Sequence, residues 1–140
     1  MRVENDMEIR DILASTRTIA VVGASDKPWR DSNDIMRYLL SCNYNVIPVN
    51  PGHRTILEKR CYPSLRDIPE HVDMVDVFRR PEAVPAIVED ALAIKAGTLW
   101  LQLGVIHEAA AAKAERGGLN VIMDRCIAVD HRRLIAYAKR

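Results

Sequence analysis

Phenylalanine is nearly absent from this chain: its 140 residues hold one Phe, two Trp and four Tyr. Apolar volume must come from aliphatic residues. Hydrophobic residues still make up 49%, enough at this length for one core of ordinary domain size. Neither sign of charge dominates, because 20 Lys plus Arg face 19 Asp plus Glu and the formal net charge is +1. A global field that would draw in nucleic acid or an anionic membrane is therefore lacking. Any anion site has to come from a local cluster. Cysteine is sparse: Cys42, Cys61 and Cys126 stand far apart, with no CxxC and no zinc-type spacing, so no metal site is expected. An odd cysteine count without a leader-like segment points to the reducing cytoplasm. No apolar run approaches the about 18 residues of a membrane span. No repeat, low-complexity stretch or linker divides the chain, and residues 1–140 read as one domain.

What is present is alternation. Residues 6–15 carry Met7, Ile9, Ile12 and Leu13 roughly on one side of a helix. Thr18 to Val22 is a continuous apolar run with β-branched residues, as in a strand buried on both faces. Further strands are expected at 46–49, 72–78, 98–102 and 119–123. Helices are expected from 31 or 32 to 42, from 81 to 95, from 107 to 116 and from 130 to 139. Asp31 or Ser32 is the expected N-cap of the first of these. Pro81 suits a first helical turn, and Gly117-Gly118 suits a helix end. Residues 53–71 read as loop, with a helical turn between Pro63 and Pro69. Five strands separated by helices imply right-handed crossovers. The expected fold is α/β, a Rossmann-type three-layer sandwich with a five-stranded, mostly parallel sheet. Ligands of such folds sit beyond the carboxyl ends of the strands.

The loops at those ends carry the basic residues. The first is Gly23-Ala-Ser-Asp-Lys-Pro-Trp-Arg30. Gly23 permits a sharp turn and close backbone approach, Ser25 offers a hydroxyl, and Lys27 and Arg30 offer charge. The following helix start adds free N–H groups and a positive dipole end. His53 and Arg54 follow the second strand, and Arg79 and Arg80 the third. Dinucleotide binding would require GxGxxG here and an acidic residue after the second strand; both are missing. Six basic residues from three converging strand ends favour a polyanion. Coenzyme A, with a diphosphate and a 3′-phosphate, needs more cationic partners than a simple nucleoside, and Arg suits bidentate phosphate contact. The fourth loop, Gln102-Leu-Gly-Val105, is mostly backbone and amide and suits the pantetheine arm.

Five segments together carry a resemblance. Residues 19–28, 46–51, 75–80, 99–104 and 121–126 (Ile-Ala-Val-Val-Gly-Ala-Ser-Asp-Lys-Pro, Val-Ile-Pro-Val-Asn-Pro, Val-Asp-Val-Phe-Arg-Arg, Leu-Trp-Leu-Gln-Leu-Gly and Val-Ile-Met-Asp-Arg-Cys) resemble the small CoA-binding proteins of the YccU type. That family is similar to the CoA-binding domain of the succinyl-CoA synthetase α subunit. The resemblance covers about residues 8–135 and implies coenzyme A, or acyl-CoA, as ligand. It implies that Gly23, Ala24, Ser25 and Lys27 meet the diphosphate and adenosine. Asn50, Pro51 and His53 close the second strand end, His53 standing where the synthetase has a lysine. Phe78, Arg79, Gln102, Leu103 and Gly104 follow the rest of the cofactor. The chain departs from the family at Asp31, near which a proline is expected, and this places a negative charge beside the loop.

Other residues have plainer readings. Arg80 is expected to pair with Asp76 or Glu82, and His71 and His131 to lie on the surface. Cys126 reads as a buried structural cysteine and Trp100 as core or interface. Trp29 suits adenine stacking or core cover equally. His107 is read as structural, since the phosphohistidine of the synthetases belongs to a second domain absent here. The functional reading is a CoA-binding module without its own catalytic machinery. The alternatives are a subunit of an acid–CoA ligase, an NAD(P)-binding oxidoreductase, or an adaptor with a vestigial pocket. A second copy of the chain or a partner enzyme subunit are the assemblies left open; no nucleic acid and no membrane are expected.

Overall fold

β-Branched runs flanked by turn residues make the strands of this chain, and each strand's end marks where a ligand can approach. A computed structural model describes residues 1–139. The main sheet contains β1 (Thr18–Val22), β2 (Asn45–Val49), β5 (Met74–Val77), β6 (Thr98–Leu101) and β7 (Asn120–Met123). A two-residue hairpin, β3 (Thr55–Ile56) and β4 (Lys59–Arg60), lies apart. The order is β2-β1-β5-β6-β7 and every pairing in the main sheet is parallel. From β1 the chain therefore moves to one side into β2 and then returns to β1's other side as β5. The switch point lies between β1 and β5, where such folds open a crevice.

Helices cover both faces. α1 (Asp6–Ser15), α2 (Asp31–Ser41) and α5 (Ile127–His131) pack on one face, where Ile9, Leu13, Met36 and Leu39 meet Ile19, Val21, Trp100 and Ile122. α3 (Val84–Ala93) and α4 (Glu108–Arg116) cover the other, with Val88, Ala91, Ala111 and Ala114 against Val75, Leu99 and Val121. Small alanines let α4 lie close to the sheet, a layer filled by aliphatic side chains. Local signals set the helix ends. The Asn5 side chain accepts from Glu8 N–H at 2.9 Å to start α1, and His107 Nδ1 accepts from Ala110 N–H at 3.0 Å to start α4. His107 is thus a cap, a structural role.

Several expectations change. Neither Asp31 nor Ser32 caps α2: Arg30 occupies the N-cap without a side-chain cap bond, and the Ser32 hydroxyl instead accepts from Ser25 N–H at 3.1 Å. The last helix starts at Ile127, not 130, and continues as a π turn (Arg132–Ala136) and a 3-10 turn (Tyr137–Lys139). That earlier start turns His131 inward. It is buried, Nδ1 lies 2.8 Å from the Tyr38 hydroxyl, and its ring meets Tyr38 and Tyr44 edge-on. The segment 53–71 holds the hairpin, and its expected helical turn is a 3-10 turn at Leu65–Asp67. His71 is exposed as expected, and Trp100 is wholly buried, its indole N–H donating to Arg125 C=O at 2.8 Å. Among the described residues no helix is long and apolar enough to cross a membrane.

Candidate functional site

Side-chain hydrogen bonds brace the first loop. Asn50 Nδ2 donates to Ala24 C=O at 2.8 Å while Asn50 Oδ1 accepts from Gly52 N–H at 2.7 Å. Asn33 Nδ2 donates to Ser25 C=O at 2.9 Å, and Arg37 Nε donates to Asn33 Oδ1 at 3.0 Å. The Ser25 hydroxyl accepts from Lys27 N–H at 3.1 Å. Ser25 and Asn50 therefore spend their side-chain bonds on the loop itself. Gly23, at φ +85°, sits so near β5 that a Cβ would fall 2.3 Å from Phe78 C=O. The neighbour that demands glycine is protein backbone.

A cleft of about 780 Å³ opens at the carboxyl ends of the strands. The first loop supplies Gly23, Ala24, Ser25, Asp26 and Lys27 to its wall, and α2 adds Arg30, Asp31, Ser32, Asp34 and Ile35. Asn50 and His53 come from the end of β2, and Phe78, Arg79 and Arg80 from the end of β5. Gln102, Leu103 and Val105 follow β6, and Cys126, Ala128 and Arg132 close the far side. Pro51 and Gly104, expected beside the ligand, lie outside this lining. Pro51 sits on an exposed turn. Gly104, at φ +87°, turns its N–H to Asp124 Oδ1 at 2.7 Å. Arg54 is exposed and also outside.

The charge is uneven. Lys27, Arg30, Arg79 and Arg80 have no carboxylate partner among the described residues. Arg132 lies 4.3 Å over the Tyr38 ring. Asp34 is within 3.5 Å of Arg37, and Asp26 within 3.8 Å of His53. Asp31, beside the α2 start, is exposed and has no ion pair among the described residues. The expected pairing of Arg80 with Asp76 does not form. Asp76 lies inside β5, wholly buried, and neither of its carboxylate oxygens has a partner among the described residues. Burial pushes its carboxyl well above the usual range.

Four cations without counter-charges, over a helix start with free N–H groups, can bind a multiply charged anion. The other half of the cleft is more apolar, with Leu103, Val105, Cys126 and Ala128. Gln102 Oε1 is committed to Ile127 N–H at 3.3 Å. Cys126 is half-buried and borders the cleft, so the buried structural reading is overturned. Trp29 is 75% exposed, which rules out core cover; Lys27 Nζ lies 5.9 Å from its ring centroid. Val105 lines the cleft as part of the fourth loop, whereas Arg132 and Asp34 lie outside the expected site. Those two come from positions whose direction depends on helix rotation, for which the chain carries no local signal.

Comparisons with known proteins agree with this fold. The chain is 38% identical over 131 residues to the uncharacterized protein YneT of Bacillus subtilis, covering 94% of this chain and 97% of that one. It is 32% identical over 123 residues to the ADP-forming acetate–CoA ligase I of Archaeoglobus fulgidus, with 79% of this chain matched to only 18% of that protein. A solved structure of a hypothetical protein from Pyrococcus horikoshii superposes with a TM-score of 0.92 at 41% identity, covering 94% of this chain and 93% of that one. Residues 17–132 match the family model described as the CoA binding domain, and the chain belongs to that family.

Proposed function

We propose that this protein binds coenzyme A, or an acyl-CoA, in the cleft and serves as a binding module for chemistry carried out elsewhere. The observation that carries the reading is the set of cations without carboxylate partners, Lys27, Arg30, Arg79 and Arg80, at the carboxyl ends of β1 and β5. They suit the diphosphate and the 3′-phosphate. The floor runs from β2 to β7, four strand steps of about 4.8 Å each, which leaves room for an extended arm. Its more apolar end suits pantetheine. The residues present therefore fit coenzyme A. They fit a nicotinamide dinucleotide poorly: the second strand ends in Asn50-Pro-Gly52-His53, without the carboxylate that would hold a ribose.

A second reading has support from the larger relatives. The chain is matched to less than a fifth of an ADP-forming acetate–CoA ligase. A separate chain of this family would then supply the CoA-holding part to a larger partner.

The Lys27→Ala variant should bind CoA about 1–3 kcal/mol more weakly, the range for losing a charge-assisted hydrogen bond. Calorimetric titration of both proteins checks this. Unchanged affinity would remove Lys27 from the phosphate site. Lys27 is exposed and holds no ion pair among the described residues, so its loss should leave the melting temperature unchanged.

A further inference from the structure

At the amino ends of β1 and β2, the end of the sheet away from the cleft, lies a second groove of about 640 Å³. It shares no lining residue with the cleft. The half-buried Cys42 borders it, and Cys42 Sγ lies 3.8 Å from His131 Nδ1, a hydrogen-bond distance for sulfur. The same ring nitrogen lies 2.8 Å from the Tyr38 hydroxyl, and the ring meets Tyr38 and Tyr44 edge-on. A buried imidazole is thus fixed against a thiol that solvent can reach. Leu13, Leu134 and Ile135 make part of the wall apolar, and Arg17 and Asn43 stand beside them. The Arg17 guanidinium is exposed and has no carboxylate partner among the described residues.

We propose that Cys42 is a thiol-exchange site, with His131 as its proton acceptor, that takes small carboxylate-bearing disulfides from this groove. The Cys42 proton passes to His131 Nδ1, and the sulfur's electron pair forms a bond to one sulfur of the disulfide. The disulfide's own S–S bond breaks, and its electron pair leaves with the second sulfur. That thiolate then takes the proton from His131. Cys42 ends oxidised in a mixed disulfide, and half of the small disulfide ends reduced to a thiol. The Tyr38 hydroxyl can donate to the neutral ring or accept from the protonated one, so the ring keeps this contact throughout. Burial, and then the Cys42 side chain, push that hydroxyl up to about 12, so it holds its proton at neutral pH. Arg17 suits a carboxylate of the incoming molecule, and the Asn43 amide suits a peptide group.

Helix position alone does not favour this thiol. Cys42 is the C-cap of α2, where the negative end of the helix dipole opposes a thiolate. His131 and the nearby cations have to supply the difference, with Arg132 4.3 Å over the Tyr38 ring and Arg17 at the groove. The other thiols stand elsewhere. Cys61 is buried, donates to Asn50 C=O at 3.4 Å, and its thiol is pushed up by burial. Cys126 starts α5 and faces the cleft, so its chemistry is read from a different peptide. A half-buried cysteine without activation reacts more slowly folded than unfolded, because the fold shields it. Faster reaction in the folded state therefore identifies the contribution of His131.

The test is reaction of the full chain with oxidised glutathione in one neutral buffer, with and without concentrated urea, followed by peptide mass mapping that resolves the three cysteines. Cys42 should form the mixed disulfide about fivefold faster or more in the folded chain than in the unfolded one, the scale for a thiol activated by a neighbouring imidazole. His131→Gln should bring the folded rate to the unfolded rate or below it. Because His131 is buried, that variant can fail to fold. Tyr38→Phe keeps the ring that His131 and Arg132 pack on and removes only the hydroxyl, and it should slow Cys42 severalfold with the melting transition intact. Arg17→Glu should slow the glutathione reaction more than the reaction with neutral iodoacetamide. A folded Cys42 that reacts more slowly than the unfolded one, or as fast in folded Tyr38→Phe as in wild type, overturns the inference. Equal effects of Arg17→Glu on the two reagents overturn the carboxylate-bearing class of substrate.

Discussion

Gly23→Ala should destabilise the protein by about 3 kcal/mol or more and abolish ligand binding at temperatures where wild type binds. Two costs add. The residue sits at φ +85°, where an L side chain costs about 1–2 kcal/mol. The new Cβ would also stand 2.3 Å from Phe78 C=O and 2.9 Å from Arg79 Cδ. Arg79 can swing away, but the carbonyl cannot move freely. Phe78 N–H is held by Val22 C=O at 2.8 Å, and Gly23 N–H by Val49 C=O at 3.1 Å. Relief requires prising β1 from β5 or β2, and overpacking of that kind costs about 1–3 kcal/mol more. Urea unfolding of the variant measures the sum. A loss under about 0.5 kcal/mol would show that the loop relaxes without cost and that glycine is not required there.

The second large effect comes from Asp76. Its carboxyl lies in the middle of β5 between Val21 and Trp100, wholly buried and without a partner among the described residues. Desolvation raises its folded pKa above the unfolded value. A raised carboxyl contributes its stability fully below the unfolded value, near pH 4. That contribution is lost as pH rises towards the folded value, because only the unfolded chain ionises freely in that window. Wild type should therefore lose stability from this group as pH rises from about 4 into the neutral range. Asp76→Asn should remove that slope. Asp76→Val should gain about 1–3 kcal/mol at neutral pH, the usual cost of burying an unpaired polar group. Thermal melts of the three proteins across pH check both statements. A wild-type curve parallel to that of Asp76→Asn would show that the carboxyl is solvated or paired in solution.

The strands were legible because nothing competes with a run such as Thr18-Ile-Ala-Val-Val22: β-branched residues in series, closed by Gly23, fit a doubly covered strand. Pro81 and Gly117-Gly118 marked helix ends by backbone chemistry alone. The cap of α2 was harder. Asp31 and Ser32 have capping side chains, yet the turn closes one residue earlier, and Ser32 is drawn to the first loop. The last helix begins at Ile127 within an apolar stretch lacking a start signal, so the inward face that carries His131 was misjudged. In the site, Lys27, Arg30, His53 and Arg79 follow directly from strand ends and could be read from order alone. Arg132 and Asp34 come from helix positions whose direction depends on packing against the sheet. The isolation of Asp76 depends on which neighbours fail to reach it, and the order of residues does not record that.

The cleft is proposed to select coenzyme A over other nucleotides. Calorimetric titration of the purified chain with CoA, dephospho-CoA, NAD and NADP in one buffer tests it most directly. Micromolar binding of CoA, weaker binding of dephospho-CoA and none of NAD or NADP is the predicted result. Binding of NAD or NADP in place of CoA would contradict the account, because the cations at the ends of β1 and β5 would then serve a dinucleotide.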